Sequence, residues 1–438
     1  MNDTFSDHEE LVRSVMALVT RDRILEALIG WINIASPTGS ERTIAEWAVD
    51  HLGGAGLDNE LQVIDDSQAN AVGVLPGRGD GPNLLLYAPT DTFTTGESVH
   101  DVPWASSCLR SDMVPNAQVF GDYVTGLAAG NPKGHAAAIM VAIEAMAHAG
   151  VHVSGDVIAG FGAGGMPSFS IPGIGTPGRE NTGHGVGASF LLERGYTPDY
   201  GVIAKPGWSV SHEEVGLVWI DIEVPGTHTY VGSRHRIPYQ NAATLAATVI
   251  TRIEAWLEEY AAQHEVGTMR PQGIVSSVHG GFERLAASTS ASVRLRLDLR
   301  MTPEQTAPEV VREVGGQLAV ISEDLGVDLK ARQIATVPGS RTDQSSPVVR
   351  ATVNAWESVS GTLHNPITGN SGATDANILR SKGVPTARVG MPKVTSSPDG
   401  GPVDFSLGMN IADLRDISRL VEVLVRTTIN LNDSANNS

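Results

Sequence analysis

The residues best placed to do chemistry lie in Gly126–His135, GLAAGNPKGH, directly ahead of an apolar helical stretch, 136–149. A glycine-rich run that opens a helix leaves backbone N–H groups pointing outward, where a ligand or catalytic group can sit. This run carries Asn131, Lys133 and His135 into that mouth. The helix dipole lowers the pKa of a histidine there and favours its neutral, proton-accepting form. A strand-like stretch, Leu84-Leu85-Leu86-Tyr87, ends in Ala88-Pro89-Thr90-Asp91-Thr92, a second loop suited to a site, and Asp91 is a candidate base. A third loop, 162–187, is rich in Gly, Pro and Ser and too long for an ordinary connector. It brings Arg179 and His184, which suit an anionic substrate. His212, Glu213 and Glu214 follow where the strand pattern changes. Each group also has an ordinary structural role open to it: a packed histidine, a buried lysine, a helix cap, a solvated loop.

The elements that must position these groups follow from periodicity. Apolar residues at helical spacing predict a helix over 8–30, another over 43–52, and the helix after Lys133. Residues 62–74, 83–87, 156–161 and 200–204 read as strands. Strands alternating with helices give an α/β fold, a mostly parallel sheet with helices on both faces. Near Glu213 the pattern changes to strand 215–224, helix 242–260, strands 274–278 and 293–300, helix 307–325 and strand 327–335. That order is β-α-β-β-α-β, a ferredoxin-like inserted module at 214–337. The α/β domain then comprises 1–213 and 338–438, with helix 347–360, strand 385–389, helix 411–431 and a polar tail, 432–438.

The chain has 438 residues and a net charge of −19. That acidity argues against nucleic acid, which requires a basic face. No apolar run reaches 18 residues, and the opening MNDTFSDHEE lacks a basic-then-apolar leader. A cytoplasmic protein acting on small molecules is expected. The single cysteine, Cys108, excludes an internal disulfide and reads as a small packed hydrophobe.

Five local strings, in order and spacing, resemble the M20 peptidase and aminoacylase family: Ile34–Glu41, Leu84–Thr92, Gly126–Gly134, Pro198-Asp199 through Lys205-Pro206, and Gly372–Ala376. The resemblance implies the two-domain architecture above and a dimer built through the inserted module. It implies hydrolysis of an amide next to a carboxylate, usually at two zinc-type ions held by His and carboxylate ligands, with a Glu as base. Carried over position by position, the first ligand histidine falls on Pro89 and the bridging aspartate on Asn131. The paired glutamates fall within Ala163-Gly164-Gly165, and the acidic residue before proline on Lys205. Residues 403–407, where the late histidine belongs, contain none. Two divalent ions cannot be balanced by this set, and Lys205 adds repulsion of several kcal/mol at about 4 Å. The expectation is therefore an enzyme with no metal and no other cofactor, acting on a small carboxylate-bearing amide or related C–N compound. Lys205 would stand in for a cation, with Asp375 and Lys133 at the substrate. Asn241 matches the family's oxyanion asparagine, and its histidine partner is His228 or His235, between which spacing does not choose. The alternatives are a non-catalytic binder of a small acid or peptide, and a metallohydrolase with ligands relocated to His135, His184, His212, Glu213 and Glu214.

Overall fold

The computed structural model describes residues 2–436, which divide into two compact units. The first runs to His212, includes Thr342–Pro366 and resumes at Thr374. Its centre is the strand Leu84–Pro89, buried along its whole length because Leu-Leu-Leu-Tyr-Ala-Pro offers apolar groups to both faces. It sits fourth in a six-stranded sheet of order Asp58–Val63, Ala69–Leu75, Val157–Gly162, Leu84–Pro89, Tyr200–Ala204, Thr386–Val389. The last four strands are parallel, and the first two join them antiparallel.

Leu84, Leu86 and Ala88 project into a core with Trp31, Ile139, Ile143, Ile417 and Leu424, supplied by the helices Arg21–Ile32, Gly134–His148 and Leu414–Asn436. Leu85 and Tyr87 face the other way, against Leu191 of the helix Val186–Glu193 and Leu379 of the helix Ala376–Ser381. Gly134–His148 is mostly apolar and is buried from Gly134 through Met146. Each Ile or Leu so buried contributes about 1.5–3 kcal/mol.

Several local expectations are corrected. Residues 8–30 form two helices, Asn2–Met16 and Arg21–Ile32, because Thr20 is extended and its hydroxyl accepts the Arg23 N–H at 3.3 Å as an N-cap. Residues 62–74 form an antiparallel pair, because Asp65 Oδ1 accepts the N–H groups of Ser67 (2.7 Å) and Gln68 (2.8 Å) and turns the chain. The terminal helix begins only at Leu414, since Ile411–Asp413 pairs with Tyr123–Thr125 as a strand. It continues into the expected polar tail as far as Asn436, and the remainder of that tail lies outside the described residues. Cys108 is exposed rather than packed.

The second unit comprises Glu213–Arg341 and also Ile367–Ala373, a segment that the sequence leaves in the first domain. Its four strands are antiparallel in the order Gly273–Gly280, Ser292–Met301, Gly216–Pro225, Lys330–Val337, the ferredoxin-like arrangement. Val218, Ile220, Ile222, Leu295 and Leu297 pack against Val249 and Ile253 of Ala242–Gln263 and Val314 and Leu318 of Ala307–Leu325. Period-2 alternation sends the intervening polar residues to the opposite face of the sheet. No described helix is long and apolar enough to cross a membrane.

Candidate functional site

In an open α/β sheet, ligands bind outside the carboxyl ends of the parallel strands. Four such ends lie side by side here: Leu84–Pro89 runs into Asp91, Val157–Gly162 into Ala163-Gly164-Gly165-Met166, Tyr200–Ala204 into Lys205, and Thr386–Val389 into Gly390-Met391. Asp91 is fully buried. Its Oδ1 accepts the Gly165 N–H at 2.8 Å, and its Oδ2 accepts the Met166 N–H at 2.9 Å and the Thr38 hydroxyl at 2.7 Å. Glu41, also fully buried, accepts the N–H groups of Gly39 (3.1 Å) and Gly164 (2.9 Å) and the Gln68 amide (2.9 Å). Asn70 Oδ1 takes the Ala163 N–H at 3.0 Å. Four successive backbone amides, 163–166, are thus held by side-chain oxygens from three other segments.

Burial and the charge of Asp91 push the Glu41 carboxyl well above the usual range. Burial likewise raises Asp91, against the opposing pull of Thr38, the Met166 and Gly165 amides and Lys205. Burial raises the Tyr87 pKa well above its usual value, and the neighbouring charge of Asp375 adds to the effect. Lys205 is 6% exposed and lies within the electrostatic reach of both Asp91 and His135. Burial, then Lys205, lowers the His135 pKa to about 3, and its Nε2 accepts the Met391 N–H at 3.4 Å. His135 is therefore neutral as expected, through burial first, and at that pKa it is a weak base.

Asp91, His135, Lys205 and Asp375 converge at this end of the sheet. Asn131, at the same mouth, is half-buried, and its amide approaches Met409 Sδ at 3.6 Å. Lys133 has a structural place: it is fully buried, its Nζ donates to the Ile34 carbonyl at 2.7 Å, and burial lowers its pKa to about 7. Arg179 pairs with Asp65, and its Nε donates to the Asn181 carbonyl at 3.1 Å. His184 lies in the neck of the long loop, with its N–H on the Met166 carbonyl (2.9 Å) and its ring 5.5 Å from that of Phe169. In the second unit His228 Nδ1 meets the Thr289 carbonyl at 2.7 Å and His235 is exposed beside Arg236. Asn241 caps Ala242–Gln263, its Oδ1 accepting the Ala243 N–H at 3.0 Å. Sequence reasoning overlooked Glu41, Gln68, Asn70 and Tyr87. Thr38, Glu41 and Tyr87 stand inside strings that it singled out, whereas Gln68 and Asn70 sit at or in a strand and read as ordinary strand residues.

No family model matches the chain. Solved structures match it over nearly its whole length. The dipeptidase Dug1p of Saccharomyces cerevisiae shares 11% identity at a TM-score of 0.71, over 96% of this chain and 98% of its own. Human carnosine dipeptidase 1 shares 13% at 0.70, over 97% and 99%. The Bacillus subtilis protein YXEP, a dinuclear metal binding peptidase from the M20 family, shares 13% at 0.60, over 94% and 98%. The fold is that of the M20 peptidases. Within that fold, the residues at the resemblance's ligand positions do not suit two metal ions. Pro89 offers no donor, Asn131 offers a neutral amide, and Lys205 brings a positive charge. At Gly164 φ is +60°, and a Cβ would stand 2.0 Å from the Thr182 carbonyl oxygen. At Gly165 a Cβ would stand 2.3 Å from Pro89 Cβ and 2.5 Å from Asp375 Oδ2. Neither position thus has free room for a side chain. Among the described residues no three His, Cys, Asp or Glu side chains come together as a metal site, which leaves the relocated set of His135, His184, His212, Glu213 and Glu214 without support.

Proposed function

We propose that this protein is a hydrolase of the M20 fold that cleaves the C–N bond of a small, carboxylate-bearing amide without a dinuclear metal centre. The observation that carries this reading is buried Lys205, at the carboxyl end of its strand, in the field of Asp91. An ammonium held in a water-poor site stabilises the negative charge that develops on a carbonyl oxygen. Asp375 is the carboxylate nearest the position where the family's glutamate side chain would begin, so it is the base assigned here. It takes a proton from water, the water oxygen bonds to the carbonyl carbon, and the amine leaves with the proton as the C–N bond breaks. Asp91 and Glu41 fix the loop that lines this place. His228 or His235, with Asn241, serves as a further charge stabiliser, and the inserted module serves as the surface of a cytoplasmic homodimer.

The test is turnover of a panel of N-acyl amino acids and dipeptides by chelator-treated protein. Chelator-resistant turnover, lost in Lys205→Met, is expected. Turnover that appears only with added zinc, manganese or cobalt would refute the metal-free mechanism. The second reading, a non-catalytic binder of a small acid or peptide, is favoured by the closure of the site: Asp91, Asp375 and Lys205 are 0%, 2% and 6% exposed. Saturable binding of a panel member without turnover would support it.

A further inference from the structure

Both long helices of the second unit pack on one face of its sheet, and among the described residues none packs on the other. Cross-strand register places two rows of side chains on the open face: Lys330, Glu223, Arg294 and His279, then Arg332, Asp221, Arg296 and Ser277. Most of the charge in the second row is already spent. Arg296 grips the buried Asp221 in bidentate fashion, at 2.8 and 3.1 Å. Beyond it, Arg300 pairs with Asp298 at 2.8 Å, and the Trp219 indole donates to the same carboxylate at 2.8 Å.

Arg294 and Arg332 are left over. They come from the two strands that flank Gly216–Pro225, and both approach the same atom, Asp221 Oδ2, at 4.0 and 3.9 Å. Those distances exceed hydrogen-bond reach. Their side chains are 54% and 78% exposed, and neither guanidinium has a hydrogen-bond acceptor among the described residues. With Arg296 neutralising Asp221, the spot carries a surplus of two positive charges in a chain whose net charge is −19. Glu223, the acid of the neighbouring row, makes no ion pair among the described residues. We propose that Arg294 and Arg332 form a binding site for a phosphate group, inorganic phosphate or the head of a phosphate monoester, on this open sheet face.

The geometry suits a tetrahedral dianion. Two nitrogens that each lie within about 4 Å of one oxygen are no more than about 8 Å apart. A phosphate that accepts from both through charge-assisted bonds of about 2.8 Å spans that gap. Planar guanidinium forks on rigid antiparallel strands lose little freedom on binding. A monoanionic carboxylate leaves one of the two charges uncompensated, which is why a dianion is favoured.

The experiment is calorimetric titration of the full chain with sodium phosphate, compared with sodium chloride at matched ionic strength and with sodium acetate. Saturable one-to-one phosphate binding is expected, weakened about tenfold or more in the Arg294→Gln, Arg332→Gln double variant. Single Arg294→Lys and Arg332→Lys variants keep the charge and lose the fork, and each should weaken binding by a smaller factor. Equal heats with chloride, equal affinity for acetate, or unchanged affinity in the double variant would overturn the proposal.

Discussion

His135 and Lys133 show how far burial can set a group's chemistry. Replacing Lys205 with Met should lower kcat/KM for the chelator-resistant reaction by about 10²-fold or more, the range for removing one oxyanion stabiliser; a change under threefold would take Lys205 out of the mechanism. His135 makes a prediction about acid stability. Its folded pKa is about 3, against about 6.5 when unfolded. Between those values the unfolded chain holds the extra proton, so stability rises with pH in that window. The contribution is complete above about pH 6.5 and is lost as pH falls toward 3. Denaturant titrations from pH 4 to 7 should show a slope shallower by up to one proton, about 1.4 kcal/mol per pH unit, in His135→Gln than in the parent. Equal slopes would show that the imidazole titrates normally in the folded state. Glu41, raised by burial, acts in the opposite sense above its ordinary pKa, so the informative quantity is the difference between the two proteins.

At the scale of elements, the long loop after Val157–Gly162 has a defined stem. The Gly164, Gly165 and Met166 amides are held by Glu41 and Asp91, Gln68 donates to the Thr182 carbonyl at 2.9 Å, and the Gly185 N–H reaches the Gly164 carbonyl at 2.8 Å. Asp91→Ala removes the acceptor of two backbone N–H groups and should loosen that stem. Trypsin cleavage after Arg179, which lies within the loop, should then speed up several-fold while far-ultraviolet dichroism stays native. An unchanged cleavage rate would mean that Glu41 and Gln68 suffice. The helix Ala242–Gln263 gives a separate test of Asn241. Loss of its cap in Asn241→Ala should cost about 1 kcal/mol by denaturant unfolding. Asn241→Asp keeps the capping oxygen and removes the amide, so a drop in turnover at unchanged stability would assign that amide to the reaction.

For the molecule as a whole, protein purified without chelator should contain no stoichiometric zinc, manganese or cobalt by elemental analysis, and chelator should leave its Tm unchanged. Two equivalents of tightly held metal would contradict the account of the site. Much of the architecture was legible in the sequence, because the hydrophobic period differs between a doubly covered parallel strand such as Leu84–Pro89 and a half-exposed one such as Ser292–Met301. The ferredoxin-like order was also legible, since the spacing of its helices and strands is written in the chain. Only the tertiary structure decided which groups are spent. Glu41 and Asp91 share one stretch of backbone amides, Asp375 stands where a side chain at Gly165 would begin, and His135 is too deeply buried to hold a proton near neutral pH. Those outcomes depend on distances between segments far apart in the chain and on the removal of water around them, and neither quantity is written in local spacing.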